Sequence, residues 1–226
     1  MDIDPSEAHG HSAARGDRPA LIELTVLQPA GRPERSDAAR NRERILCTAQ
    51  RLFGERGVAN VSMDEIAADA EVGKGTLYRR FGDRAGLALA LLAAEDTELQ
   101  DGFLRGPPPL GPGAPPRARL DAFFATLGAF MEQHGDLIAE ADRTLPTRAR
   151  LGGPYAAYHT HVRILLRELD PALDIDVLAH VLLAPFRADL YGHLVEGRTE
   201  GRERLLAAVG RLLDGLDGER LLKTRP

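Results

Sequence analysis

The chain has a single cysteine, no tryptophan and no long apolar run. One thiol, Cys47, excludes an internal disulfide and a cysteine-rich metal site, and we interpret it as a small buried residue of the first helix. No stretch of about 18 apolar residues occurs, so we expect no membrane span. The N-terminal residues are acidic and lack the apolar centre of a signal peptide, which makes the cytoplasm the expected compartment.

Patterns that support catalysis or metal binding are also missing. Serine is scarce, and neither a G-x-S-x-G motif nor a Cys/His pair occurs. His159 and His161 are two residues apart, so on a helix they point to different faces and form a poor metal pair. Glu140 and Asp142 share that spacing and do not converge. The string Gly73–Thr76 lacks the glycine spacing of a nucleotide-binding loop. We therefore expect no enzyme, metal or cofactor.

The 226 residues are 43% apolar and 28% charged, which is typical of a globular protein of one large or two small domains. The net charge of −5 is unevenly distributed. Residues 35–84 hold ten basic and eight acidic residues, a net charge of +2, which leaves −7 for the rest of the chain. Such a distribution favours the binding of phosphate groups at one end of the molecule only.

The most informative segment is residues 62–84, SMDEIAADAEVGKGTLYRRFGDR. Ser62 and Glu65 form the S-x-x-E capping box of a helix start. A break follows at residues 71–73, where we expect Gly73 to adopt backbone angles that other residues avoid. A second short helix then begins at Lys74. The segment therefore predicts a helix, a tight turn and a second helix.

The second helix presents more basic and hydroxyl groups than packing requires. Leu77 and Phe81 lie four residues apart and face the core, which leaves Lys74, Tyr78 and the paired arginines at 79 and 80 on or near the outer surface. A short helix with this outer face fits the major groove of DNA.

Residues 38–92 resemble the DNA-binding domain of the TetR family of bacterial transcriptional regulators. The resemblance rests on V-G-K-G-T-L-Y-x-x-F followed by Asp-Arg at the next helix start. It implies an N-terminal three-helix helix-turn-helix head, a C-terminal helical body that binds a ligand and dimerises, and double-stranded operator DNA as partner. We divide the chain into an arm at residues 1–36, a DNA-binding domain at 37–83 and an effector-binding and dimerisation domain at 84–226.

The resemblance also assigns individual DNA contacts. Lys74 and Gly75 are expected at base edges, Thr76 and Tyr78 at phosphates, and Arg84 in place of a lysine that grips phosphate in the family. The full predicted set is Arg42, Ser62, Met63 (through its amide), Gly73, Lys74, Gly75, Thr76, Tyr78, Arg79, Arg80 and Arg84. The alternative for the basic residues is a solvated face.

The arm at residues 1–36 shows no sustained periodicity of apolar residues. Residues 21–27 alternate like a strand, but a lone strand has no partner, so we favour a mobile segment. Arg32 and Arg35 are placed to reach a DNA backbone or minor groove, with a solvated tail as the alternative.

The rest of the pattern predicts an all-α chain of about nine helices. The expected spans are 36–56, 83–104, 117–134, 136–145, 155–169, 175–196 with a kink at Pro185, and 199–216, in addition to the two short helices above. Residues 106–116 hold six prolines and three glycines and are expected to form a loop.

The predicted body contains most of the aromatic residues outside the head. We expect a group of them to line a ligand pocket between helices, with ordinary core packing as the alternative. The predicted lining is Phe103, Phe123, Leu127, Phe130, Met131, Arg143, Tyr155, Tyr158, His159, Val162 and Phe186. The last two helices carry long apolar stripes, which by resemblance form an isologous homodimer interface; packing within one chain is the alternative.

The sequence thus predicts a ligand-responsive DNA-binding repressor. Two alternatives remain: a constitutive or activating DNA-binding protein with a filled core and, less favoured, a helical enzyme fused to a DNA-binding head.

Overall fold

The computed structural model describes residues 36–143, 147–195 and 200–216. The arm proposed for residues 1–36, including the strand-like segment, Arg32 and Arg35, lies outside these ranges except for Ser36. The helices are α1 (Ser36–Arg56), α2 (Met63–Asp69), α3 (Lys74–Phe81), α4 (Arg84–Arg105), α5 (Pro116–Asp142), α6 (Thr147–Arg150), α7 (Gly153–Leu169), α8 (Ile175–Leu183), α9 (Ala188–Val195) and α10 (Gly201–Leu216). No β-strand occurs in the described ranges, and the all-α prediction is confirmed.

The first three helices enclose a small core. Each helix contributes fully buried side chains to it: Ile45 and Ala49 of α1, Ile66 of α2 and Leu77 of α3. Leu87 of α4 is also fully buried in this core. Gly57 ends α1 with a φ of 80°, a left-handed angle at which glycine carries no steric penalty. The apolar stripe predicted along α1 therefore faces the two shorter helices.

Local capping sets the start of α2. Both hydrogen bonds of the predicted capping box form: the Glu65 amide donates to the Ser62 hydroxyl, and the Ser62 amide donates to the Glu65 carboxylate. The Ser62 backbone, and then Arg56, hold the pKa of Glu65 at about 2. Because this motif needs only residues three apart, the sequence alone predicts it.

The turn between α2 and α3 differs from the prediction in one respect. Gly73 has an ordinary extended conformation (φ −62°, ψ 134°), whereas Glu71 takes the left-handed one, with a φ of 52°. The amides of Glu71 and Val72 donate to the carbonyls of Ala68 and Ala67, which is the Schellman arrangement of a helix end. The residue with special backbone angles is thus Glu71, and the role predicted for Gly73 was wrong.

Replacing Glu71 by glycine should therefore stabilise the protein. A side chain in the left-handed region costs roughly 1 kcal/mol, part of which the extra freedom of glycine in the unfolded chain offsets. We expect Glu71→Gly to raise the free energy of unfolding by about 0.5 kcal/mol. Urea titrations of this variant and of Glu71→Ala, which keeps the strain, provide the comparison. Equal stability of the two variants would contradict the assignment.

The remaining helices pack around a larger core. Phe103 of α4, Phe123 of α5 and Leu165 of α7 are fully buried at its centre, and α8 to α10 cover its sides. Between the two cores, Ala88 and Leu92 of α4 pack against Ala141 of α5. Since α4 contributes to both cores, it links the DNA-proximal helices to the rest of the chain.

Two predicted helix boundaries were wrong. Helix α5 continues through Gly135, where a break was expected at residues 134–136. A helical glycine costs only about 1 kcal/mol, and good helix formers on both sides outweigh it. At Pro185 the expected kink is a complete break: α8 ends at Leu183, a 3₁₀ turn follows, and Arg187 is extended before α9. Proline lacks the amide that would continue the helix.

Two further properties bear on the predictions. Cys47 is exposed on α1 and not buried as interpreted, because the buried stripe of that helix runs through Ile45, Ala49 and Leu52. Over the described residues, the helices are all too short or too polar to cross a membrane.

Candidate nucleic-acid interface

The outer face of α3 is solvent-exposed along its length. Lys74, Gly75, Tyr78 and Arg79 are exposed, with 45% of the Tyr78 surface accessible, while Leu77 on the opposite face is fully buried. An alanine-sized side chain at Gly75 would meet no atom within 4 Å. The surface is therefore open to a close approach by another molecule, and no side chain caps the N-terminus of the helix.

The other predicted contacts surround this face at different depths. Thr76, Arg80 and Arg42 are half-buried, and Ser62 is exposed at the start of α2. The Met63 side chain is buried in the core, so only its backbone amide remains available for the predicted contact. Most of the predicted set is thus exposed or half-buried on or beside α1, α2 and α3.

Lys74 is held by an intramolecular partner. Its ammonium group donates to the carboxylate of Asp64 on α2, and both side chains are more than half exposed. Any phosphate or base edge must therefore compete with Asp64 for this ammonium.

Removing that competitor should strengthen DNA binding. An exposed ion pair is worth about 0.2–1 kcal/mol, so Asp64→Asn should raise affinity for any DNA by about 1.4- to five-fold per protomer at low salt. Fluorescence anisotropy with a labelled duplex measures this. Asp69→Asn, which removes a carboxylate from the same helix that binds Arg51, is the matched control. An unchanged affinity in Asp64→Asn would show that Lys74 makes no contact with DNA.

Arg84 has a different environment from the one expected for a phosphate ligand. Its Nε and Nη2 donate to Glu140 Oε1 and Oε2 on α5, at 2.9 and 3.3 Å. Its Nη1 donates to the carbonyls of Ala59 and Val61, at 3.0 and 3.3 Å. The guanidinium thus joins α4, the segment before α2 and the larger core. These contacts favour a structural role over the predicted phosphate contact.

Glu140 is the buried centre of this junction. Its side chain is 7% exposed and also accepts a hydrogen bond from Arg143 at 3.2 Å. A cleft of about 400 Å³ opens beside it between residues 57–60 and the C-terminal part of α5. The sequence offers one signal for Glu140, an acidic residue in the otherwise apolar stretch of α5, but not the identity of its partner 56 residues away.

The sequence that forms α2, the turn and α3 matches a known family. Residues 45–91 match the family model of bacterial regulatory proteins of the tetR family. An HTH-type transcriptional regulator of Staphylococcus aureus (strain bovine RF122 / ET3-1) is 47% identical over 58 residues, which are 26% of this chain and 31% of that protein. Residues 45–91 of this chain have the sequence of a tetR-family regulatory domain. Sequence similarity thus covers less than a third of that curated relative, and it lies in the head.

Solved structures extend the likeness to most of the chain. Regulatory protein TetR from Rhodobacter sphaeroides is 27% identical, with a TM-score of 0.52 over 75% of this chain and 96% of that one. A TetR/AcrR family regulator from Thermobifida fusca YX-ER1 is 21% identical, with a TM-score of 0.58 over 79% and 98%. A transcriptional regulator from Saccharomonospora viridis in complex with choline is 19% identical, with a TM-score of 0.57 over 78% and 96%. The latter two show a shared fold.

The residues predicted to line a ligand pocket lie in three regions of the described structure. Arg143 lies in the cleft beside Glu140. Tyr155 and His159 lie with His180 on the outer surface of α7 and α8, where the His159 and His180 rings stack at 4.0 Å. The others pack in the core, Phe130 only partly buried: Phe103, Phe123, Leu127, Phe130, Met131, Tyr158, Val162 and Phe186. Tyr155, like Phe130, is half-buried and packs against this core, whereas Arg143 and His159 lie outside it.

Sequence reasoning missed several buried polar residues within the aromatic group. Asp96 on α4 accepts hydrogen bonds from the hydroxyl of Tyr158 and from Gln100, and its burial raises the pKa of its carboxyl. His161 is 3% exposed and packs against the Phe103 ring at a centroid distance of 4.3 Å. Burial, and then the nearby charge of Arg119, lower the pKa of His161 to about 3.

This histidine should make the protein sensitive to acid. His161 is neutral in the folded state, whereas in the unfolded chain it binds a proton below pH 6.5, so stability falls as the pH drops from 6.5 towards 3. At about 1.4 kcal/mol per pH unit, the loss is about 2 kcal/mol at pH 5. Asp96 acts in the opposite direction, because its raised pKa favours the fold as pH falls.

The comparison that isolates His161 uses His161→Phe, which retains Asp96 and the ring packing. Urea unfolding at pH 7.5 and pH 5 should show a smaller loss of stability in His161→Phe than in the wild type, by about 2 kcal/mol. His193→Gln, at an exposed position on α9, is the control. Equal pH dependence in all three proteins would exclude this role for His161.

Proposed function

We propose that this protein is a cytoplasmic transcriptional repressor of the TetR family that binds a near-palindromic operator as a homodimer and releases it when a small-molecule effector binds the body. The observation that carries the proposal is the exposed face of α3. Lys74, Gly75 and Tyr78 lie on an open surface of a helix that Leu77 anchors to the core. This is the part of the chain that the family model and the curated relatives match.

Chemistry at this face suits the major groove. Lys74 has the charge to donate to guanine acceptors, and Gly75 permits close approach of the backbone to DNA. Thr76, Tyr78, Arg79 and Arg80 supply hydroxyl and cationic groups for the phosphates on either side. At the N-terminus of α2, Ser62 and the Met63 amide would bind phosphates of the opposite DNA backbone.

The proposed dimer uses the outer faces of α8 and α10. Val177 and Val181, one turn apart on α8, are 56% and 51% exposed, and Leu212 on α10 is 56% exposed. Leu182 and Leu213 on the inner faces of the same helices are buried. Two-faced helices of this kind support an isologous contact with a second copy, which would set the two α3 helices about 34 Å apart on DNA.

Effector control is proposed to act through α4. This helix of 22 residues contributes Leu87 to the small core and Phe103 to the large one. A ligand that binds more tightly to one of two α4 positions weakens operator binding. The change in the free energy of binding is the coupling free energy, typically about 1–3 kcal/mol. The Saccharomonospora viridis regulator, which shares this fold, was solved in complex with choline, a small molecule.

Enrichment of random-sequence duplex DNA on the full chain tests the DNA-binding part. We expect a near-palindromic motif whose half-sites lie about 10 bp apart, with affinity that falls steeply as salt increases. Analytical ultracentrifugation with Val181→Glu plus Leu212→Glu tests the dimer, which should dissociate. Recovery of no motif from a folded dimer would refute the proposal.

A second candidate is a DNA-binding regulator without an effector. The packing of Phe103, Phe123 and Val162, each fully buried, favours it because a filled core leaves little room for a ligand. A compound screen that never releases the operator supports this candidate, whereas release by one compound class supports the first.

A further inference from the structure

Among the described residues, four buried side-chain nitrogens lack a hydrogen-bond partner, and two of these nitrogens belong to residues that contact Phe103. These two are Nε2 of His161 on α7 and Nε of Arg119 near the start of α5. Both residues contact Phe103: the His161 ring lies 4.3 Å from its ring, and Arg119 Nη2 donates to its carbonyl at 3.4 Å. The two nitrogens therefore belong to the same corner of the core, where α4, α5 and α7 meet.

Leaving such atoms unpaired is costly. A buried donor or acceptor without a partner costs the full desolvation of that group, and native cores rarely retain two together. By contrast, the nearby carboxylate of Asp96 is satisfied, because it accepts hydrogen bonds from both Tyr158 and Gln100. No carboxylate of the described residues forms an ion pair with Arg119. The corner thus holds the positive charge of Arg119 and two unpaired nitrogens, without a carboxylate paired to that charge.

We propose that this corner is the effector subsite and that it binds the carboxylate of a small monocarboxylic acid, with Arg119 as counter-ion and His161 as the second donor. The inference deepens the proposed function, on which it rests, by naming the ligand class. Two donors match the two oxygens of a carboxylate, and the rings of Phe103 and Phe123 suit an apolar tail. A phosphate dianion would need more donors than this apolar site holds.

Binding requires a proton and a small rearrangement. Neutral His161, with a pKa of about 3, becomes a donor at Nε2 when it is protonated beside the bound anion, so the acid binds together with one proton. The titratable groups around His161 are Arg119 on α5, Asp96 on α4 and Tyr158 on its own helix. Arg119 is only half-buried, and its displacement opens the corner to solvent. The ligand then contacts α4 directly at Phe103.

Calorimetry with the full chain and two probes, hexanoate and benzoate, tests the proposal. At pH 6.5, titrations in buffers with different enthalpies of ionisation should give saturable binding with uptake of close to one proton per site. The matched amides, hexanamide and benzamide, and hexylamine should not bind. If a water molecule simply bridges the two nitrogens, the acids will show no saturable binding, which would overturn the proposal.

Three variants locate the site. Arg119→Met and His161→Phe keep the side-chain bulk and should each weaken acid binding by about ten-fold or more, because each removes a charge-assisted hydrogen bond. Proton uptake should vanish in His161→Phe only. Arg167→Met removes an exposed arginine from α7 and should bind like the wild type. Equal binding by all variants, or binding of the amides as tight as that of the acids, would also refute the site.

Operator binding measured on the same samples separates this inference from the proposed function. If the protein binds operator DNA but no carboxylate, this inference fails and the proposed regulator stands. If it binds the acids at Arg119 and His161 but enriches no DNA motif, the site stands and the regulatory function fails. Release of operator DNA by hexanoate or benzoate in the wild type, but not in Arg119→Met, is the result expected if both hold.

Discussion

The double variant Lys74→Ala, Tyr78→Ala should lose operator affinity by about 100-fold or more while its dimer remains intact. A base contact contributes roughly 1–3 kcal/mol, and a dimer loses two copies of each side chain, so the total loss should be at least about 3 kcal/mol. Both side chains are exposed on α3, and the head core beneath them rests on Leu77 and Ile66. The fold should therefore tolerate both changes.

Anisotropy with the selected operator and with a scrambled duplex measures the two parts of the effect. Removal of the Lys74 side chain should lower the discrimination between the two duplexes, whereas removal of the Tyr78 ring should weaken binding to both about equally. Lys74→Ala also releases Asp64, which adds repulsion near the DNA. Arg167→Met serves as the control, since it removes a positive charge far along the chain. Wild-type affinity in the double variant, with normal thermal stability, would show that α3 is not the helix that recognises the operator.

Local interactions explain why so much of the head could be predicted. The Ser62–Glu65 box, the Asp83 cap, whose carboxylate accepts from the Gly86 amide, and the Gly57 stop each involve residues within four positions. Such interactions follow from sequence order alone. The turn shows the limit of this reasoning: a glycine was available at 73, but the helix-end hydrogen bonds placed the left-handed residue at Glu71.

Contacts between distant segments could not be predicted. His161 and His159 are equivalent in sequence terms, yet one is buried beside Phe103 and the other stacks on His180 at the surface. The aromatic content of the body did not distinguish a ligand pocket from a packed core, and it did not show that Arg143 and His159 lie outside the packed group. Only the packing of α4, α5 and α7 determines which polar atoms lack a partner.

Arg84→Met should destabilise the fold by about 2–4 kcal/mol, because it leaves the buried carboxylate of Glu140 with only Arg143 as a partner. This loss is smaller than that expected for a fully buried pair, since 24% of the Arg84 side chain is exposed. Glu140→Leu should also destabilise the fold, though less, because Arg84 keeps its bonds to the Ala59 and Val61 carbonyls. Urea unfolding of both variants gives these values.

The double variant Arg84→Met, Glu140→Leu distinguishes an ion pair from two independent contributions. Replacing both partners of a buried pair by apolar side chains is often nearly neutral, so the double variant should be more stable than Arg84→Met by about 1–3 kcal/mol. Arg143→Met should have a much smaller effect, since that side chain is 60% exposed. Additive losses in the double variant would mean that Arg84 and Glu140 do not act as a pair.

The salt dependence of operator binding decides between the two roles of Arg84. If Arg84 binds a phosphate in each protomer, Arg84→Met should lower the slope of log K against log [salt] by about 0.9 per protomer, or about 1.8 for the dimer. If Arg84 instead holds α4 and the segment before α2 against α5, the same variant should weaken binding through the position of the head and leave that slope unchanged. Glu140→Leu should weaken binding similarly, although Glu140 is buried and cannot reach DNA. Because the junction joins the helix after α3 to the body, its disruption should also reduce any release of operator by an effector.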